Sequence, residues 1–359
     1  MFRTKMFVTF ITAAVLVINL GAAAGEQSTE LFKDGRGFRA ERIREFKAQM
    51  NGKLELTRIV GDVTVESWSE NKVEIVENIS INSYTREEAE RVLEDYTLRT
   101  ETRGDVIIAT GPSNYRGYVR FSYTVKLPEK FSAEVSTAGG DLDLRSLTGN
   151  FEIKTSGGDI EITECEGSIE AVTSGGDLEL IKIKGTLFAS TSGGDIVCHD
   201  CGDDLELKTS GGELDLRRLK GSVFAKTSGG DVEVEDIDGI CNLETSGGEI
   251  YLKKITSKRT IEAKTSGGDI EINDINGDLE VHTSGGDISA EDVKGSLEAS
   301  TSGGDIEVRN ITENLDISTS GGDLEIFQAG GFVEASTSGG DVAVGSLSGR
   351  DFVNDWHCK

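Results

Sequence analysis

Carboxylates are the first residues in this 359-residue chain whose type and spacing could do chemistry. Asp or Glu follows a Gly-Gly pair in twelve successive places, among them Asp141, Asp159, Asp177, Glu213, Asp305 and Asp341. Many of these acids have a partner two residues on, such as Glu161, Glu179 and Glu325. Like charges stacked one strand spacing apart repel. A divalent cation with many oxygen ligands would relieve that repulsion, so a weakly Ca2+-binding acidic face is one alternative. The calcium nonapeptide Gly-Gly-x-Gly-x-Asp does not occur, and the acids are taken first as a solvated face that keeps the chain soluble. Paired carboxylates also permit a polysaccharide-active β-helix enzyme. Every unit offers nearly the same acids, however, whereas an active site needs a break that shapes a pocket. No catalytic residue is therefore assigned.

Cys198-His199-Asp200-Cys201 has the spacing of a redox or metal motif. Sister units carry Ile, Leu or Val where Cys165, Cys198, Cys201 and Cys241 stand, so these are expected as buried apolar cysteines. A Cys198–Cys201 disulfide stays open in an oxidising compartment. With three histidines, His199, His282 and His357, a histidine-rich metal site is not available. No metal or other cofactor is expected.

Five residues depart from the pattern in a way that suits partner contact: Phe188, Phe224, Tyr251, Lys258 and Arg259. The aromatics stand where sister units place polar residues, and exposed aromatics stack on sugars or anchor proteins. Lys253, Lys254, Lys258 and Arg259 form a small basic island.

The elements that position these residues follow from a repeat. Thr-Ser-Gly-Gly-Asp, with small variations, begins at Thr137 and recurs every 18 residues to Thr337, with one step of 20 between Thr245 and Thr265. The two extra residues fall near Ser257-Lys258-Arg259-Thr260. Number each unit from its threonine. Positions 6, 8, 11, 15 and 17 are then apolar, as in Ile160, Ile162, Ile169 and Ala171. Positions 5, 7 and 16 are mostly acidic. Two short stretches of period-two alternation separated by glycine turns are the signature of strands. Such strands bury their apolar face only by stacking copies. The expected fold is all-β, a β-helix or β-solenoid of about twelve 18-residue coils. At one strand spacing per coil it would extend roughly 55–60 Å. The threonine continues the inward parity, so its hydroxyl should bond the Gly-Gly backbone. An ice-binding threonine face is excluded by the same parity.

Residues 1–24 have a basic start, an apolar core and Ala22-Ala23-Ala24 before a cleavage point, the pattern of a signal peptide. Its removal would leave no transmembrane anchor and place the chain in the periplasm, at the cell surface or outside the cell. Residues 25–50 are a polar lead-in that can hold a short helix. Residues 51–136 hold a degenerate first coil. In it Val63 and Val65 match positions 6 and 8, and Trp68 matches position 11. An α+β insertion follows, with a helix opened by the Thr85–Glu88 capping box. The regular solenoid spans 137–354, with a tail at 355–359. The net charge of −27 argues against nucleic acid as a partner.

The order of a Gly-Asp-Val-x-Val-x-x-Trp coil, a helix containing Glu-Glu-Ala, a Tyr-x-Val-x-x-Pro strand and repeated Gly-Gly-Asp-Ile-x-Ile coils resembles the bacterial putative-adhesin family of domains of unknown function. The resemblance covers roughly residues 50 to 350. It implies a β-solenoid in an envelope or surface setting, with an envelope component, surface protein or glycan as partner, and it supplies no catalytic residues.

Overall fold

The structure is a computed structural model that describes residues 16–17, 26–83, 85–112, 115, 117–347 and 351–355. The leader expected over 1–24, a two-residue strand at Leu16–Val17 apart, lies outside the described residues, as do His357 and Cys358 of the tail. The chain divides into two units, residues 1–138 and 139–359.

In the second unit the repeat folds as a parallel β-solenoid. Each coil gives one strand over positions 6–9 and another reaching position 18, such as Ile160–Thr163 and Glu166–Val172. Each strand pairs with its copy 18 residues on, Ile160 with Leu178 and Ile169 with Leu187. The offset becomes 20 where Glu244 pairs with Lys264, so the extra residues are absorbed at the turn around Ser257 without losing register. Inward ladders such as Leu178, Ile196, Leu214 and Val232 are buried. Each such side chain contributes about 1.5–3 kcal/mol by leaving water.

The corner at positions 1–5 is held by two polar ladders. Every repeat threonine from Thr155 to Thr337 is buried. Its hydroxyl donates to the position-4 glycine carbonyl of the preceding coil, as Thr155 does to Gly140 at 2.8 Å and Thr209 to Gly194 at 2.8 Å. The same oxygen accepts from the position-4 amide of its own coil, as from Gly212 at 3.2 Å. A Cβ at Gly212 would lie 1.9 Å from the Gly194 carbonyl oxygen, so stacking itself demands glycine there. At position 3 the nearest atom to a Cβ on Gly211 is 3.6 Å away.

The second ladder changes the meaning of the position-5 acids. Each Asp carboxylate accepts the position-5 amide of the next coil. Nine such rungs lie between Asp141 and Asp341, at 2.7–3.0 Å. Among the described residues the rung is missing after Glu213 and Glu249, whose longer side chains do not match the geometry. The acids are solvent-facing, as expected, and they also tie coil to coil.

At position 10 the backbone is left-handed in ten coils, from Ser146 at φ 57° to Asn310 at φ 56°. The residues there alternate in charge: Glu164, Lys182, Asp200, Arg218, Asp236, Lys254 and Asp274. Lys182 meets Glu164 at 2.8 Å and Arg218 meets Asp200 at 2.7 Å. Their hydrogen bonds hold the Glu164 and Asp200 carboxyls below the usual carboxylate range.

In the first unit, Lys53–Ile59 and Asp62–Trp68 form the degenerate coil, in parallel pairing with Val106–Thr110 and Val119–Pro128. Val63 and Val65 are buried, but Trp68 is half-exposed. Its indole donates to the Lys72 carbonyl, and Lys72 and Lys126 lie over its ring, so it covers a strand end and does not occupy a core ladder. The helix runs Arg86–Asp95 and buries Ala89, Val92 and Leu93. Thr85 accepts from the Glu88 amide, but Glu88 reaches Ser83, whose hydroxyl accepts from the Thr85 amide.

Residues 26–50 are not helical. Glu26–Asp34 and Gly37–Lys47 make an antiparallel hairpin, and Gly37–Lys47 pairs in turn with Lys72–Ile81. The inward residues of Gly37–Lys47 are Phe38, Ala40, Arg42, Arg44 and Phe46. Two arginines at core positions hide the strand alternation. Arg42 donates to the carbonyls of Leu93 and Tyr96 and so caps the helix C-terminus, where positive charge is favourable. Both arginines contact buried Glu77. Desolvation lowers the Arg44 pKa, with Glu77 opposing it.

Candidate functional site

Positions 14, 16 and 18 of the solenoid strands point outward, because positions 15 and 17 point in. Position 16 usually carries an acid on this face. At Phe188 and Phe224 it carries phenylalanine, as it does at Phe352 in the last coil. Phe188 pairs with Glu206, and Glu206 with Phe224, so the two rings stand two coils apart, one on either side of a carboxylate. Two strand spacings separate them, roughly 9–10 Å. Both rings are half-buried. Between them Lys208 at position 18 places its ammonium 5.9 Å from the Phe188 ring centroid and 5.5 Å from that of Phe224. Cation–π attraction at such distances steadies both rings.

A groove of about 640 Å3 runs over this face. Its floor is Phe188, Glu206 and Phe224. One side is the position-14 row Ser168, Thr186, Asp204, Ser222 and Ile240, and Glu170 and Asn242 extend the floor. Arg259 also lines it. The two-residue insertion delivers that side chain, in a turn where the Ser257 hydroxyl donates to the Arg259 carbonyl and accepts its amide. The structure therefore brings together Phe188, Phe224 and Arg259, which lie far apart in sequence.

On this acidic chain the groove is close to neutral. Lys154 holds Glu170 at 2.8 Å, and Lys208 pairs with Glu206. The bonds to Glu152 and Glu170 raise the Lys154 pKa above the ordinary lysine value. Asp204 and Arg259 contribute one charge of each sign.

Tyr251 lies elsewhere. It projects at position 7 into a smaller groove of about 320 Å3 with Glu233, Lys253 and Glu271. Its hydroxyl donates to Glu249, and that bond with the surrounding acids pushes the phenol up to about 12. Lys258 is exposed and lines neither groove. The basic island is divided: Lys254 meets Glu235 at 2.9 Å and Lys253 meets it at 3.8 Å, away from Arg259. Lys208, Asp204 and the position-14 hydroxyls escaped the sequence analysis. Their signal was a Lys and a run of small polar residues flanking both phenylalanines.

The cysteines are core residues. Cys165, Cys198, Cys201 and Cys241 are buried free thiols. Burial pushes Cys241 up to about 12 and Cys165 up to about 11. A hydrogen bond with Cys201 and burial hold Cys198 well above the ordinary thiol range. Among the described residues no group of three or more His, Cys, Asp or Glu could hold a metal ion. No described helix is long and apolar enough to cross a membrane.

A family model described as Toastrack DUF4097 matches residues 197–346, consistent with a putative-adhesin family of unknown function. No curated protein matches the chain. Among solved structures, a putative adhesin from Bacteroides fragilis is similar at 15% identity over 88% of this chain and 96% of its own, with a TM-score of 0.19. A putative cell adhesion protein from Clostridium sporogenes is similar at 13% identity over 75% of this chain and 99% of its own, with a TM-score of 0.21. A putative lipid binding protein from Parabacteroides distasonis is similar at 12% identity over 86% and 96%, with a TM-score of 0.20.

Proposed function

We propose that this chain is an exported, non-catalytic β-solenoid that holds a partner of the cell envelope or surface in the groove between Phe188, Phe224 and Arg259. One observation carries the proposal. Three departures from a regular repeat, two aromatics and an insertion, converge on one face of the second unit, where a purely structural spacer needs none of them. Aromatic anchors in a polar surround are the composition of a binding patch. The leader pattern at 1–24 supports export, and the acid excess argues against nucleic acid.

The test is fractionation followed by capture of envelope and surface material on the immobilised mature chain. Retention should fall when Phe188 and Phe224 are both replaced. Retention that does not change on replacement removes the groove as the contact surface. Release of new reducing ends from any captured polysaccharide would instead establish an enzyme.

A further inference from the structure

The groove has a composition that narrows its occupant. Resting on the surface-interaction proposal, we infer that it binds an extended, uncharged β-1,4-linked polysaccharide, laid across the coils with alternate sugar rings on Phe188 and Phe224. The spacing of the floor is the first argument. Phe188, Glu206 and Phe224 are consecutive members of one ladder, each paired to the next. A pyranose unit in an extended β-1,4 chain advances by a length close to one strand spacing, ~5 Å. Three successive sugars then lie over phenylalanine, carboxylate and phenylalanine. The outer two present their C–H faces to the negative faces of the rings. The middle one presents hydroxyls to Glu206.

The flanking row is the second argument. Position 14 supplies Thr186, Asp204 and Ser222 beside those three floor residues. Every sugar thus has a short polar side chain next to it, at the same repeat as the chain of hydroxyls. A protein segment would need a continuous apolar anchor, and the polar middle of this floor breaks one.

Charge is the third argument. The chain carries −27, which repels polyanions. The groove carboxylate Glu206 is paired with Lys208, whose ammonium is also engaged by both rings, and Glu170 shares Lys154 with Glu152. An uncharged polymer is complementary to a neutral strip on an acidic surface.

The experiment is calorimetric titration of the full mature chain with cellohexaose and chitohexaose, with cellobiose, maltohexaose and polygalacturonate as comparisons. The variants are Phe188→Glu, Phe224→Glu and their combination. Glutamate is what sister coils carry at this position, and Glu280, Glu298, Asp316 and Glu334 already stack there in succession, so the variants keep the fold. A β-1,4 hexaose should bind, and each single variant should weaken it about tenfold. The double variant should abolish binding. Cellobiose cannot reach both rings and should bind at least about tenfold more weakly, since it loses one stacking contact. Absence of hexaose binding, equal affinity for cellobiose, equal affinity for the coiled maltohexaose or preference for polygalacturonate would each overturn the inference. Envelope capture that is lost in the double variant while neither hexaose binds would sink the polysaccharide and leave the groove as a contact surface. Capture unaffected by the double variant would sink both.

Discussion

Replacing Thr283 by valine tests whether the threonine ladder holds the coils together or merely fills a corner. Thr283 is 0% exposed. Its hydroxyl donates to the Gly268 carbonyl at 2.9 Å and accepts the Gly286 amide at 3.3 Å. Valine has nearly the same shape and makes neither bond. One buried carbonyl and one buried amide then lose a partner, at about 1–3 kcal/mol each. The added methyl returns about 0.8 kcal/mol. A net loss of about 1–5 kcal/mol follows from these terms. Thr283→Ser keeps the hydroxyl and should lose only about 1 kcal/mol, for one methyl. Urea midpoints of the three proteins give the ranking. Because stacked repeats need not unfold in one step, hydrogen exchange at the Gly286 amide supplies a local readout. A valine variant as stable as the parent, or a serine variant less stable than the valine one, would refute the reasoning.

Three further outcomes are expected. Gly248→Ala should destabilise the solenoid by several kcal/mol, because its Cβ would lie 2.0 Å from the Gly230 carbonyl oxygen, whereas Gly247→Ala, with 3.6 Å of room, should be tolerated; thermal melts of the two variants make the comparison. Glu213→Asp should restore the missing rung to the Asp231 amide and add about 0.5–1 kcal/mol, seen as a higher urea midpoint. Glu77→Gln should leave buried Arg42 and Arg44 without their shared carboxylate and cost about 3–5 kcal/mol, read as faster exchange across residues 37–47.

The solenoid was legible because its information is repeated. Ile160, Leu178 and their successors say the same thing at the same interval, so a single exception such as Cys198 is still assigned to the core. The hairpin at 26–47 was not legible, because Arg42 and Arg44 occupy inward positions and read as polar surface. Their burial depends on Glu77 and on the end of a helix more than forty residues away, which no local pattern reveals. The left-handed corner at position 10 was hidden for a different reason. Asp or Asn holds half of the ten positions, but Ser, Glu, Lys and Arg hold the rest and do not usually mark such backbone. Stacking imposes the conformation on whatever stands there. In the groove, Phe188 and Phe224 were visible as exceptions at a known outward position. Arg259 joins them only because the insertion turns over that face, whereas Tyr251 and Lys258, equally visible in the sequence, point elsewhere.

The alternating charges at position 10 impose a parity on the molecule's ancestry. Their true period is two coils, and Phe188 and Phe224 share it. Excision of residues 191–208 would set Lys182 against Arg218, placing like charges on neighbouring strands. Excision of 173–208 would set Glu164 against Arg218 and leave the alternation whole. Over the coils from Glu164 to Asp274, growth or shrinkage by recombination is therefore smoother in 36-residue steps than in 18-residue ones, although the backbone would accept either.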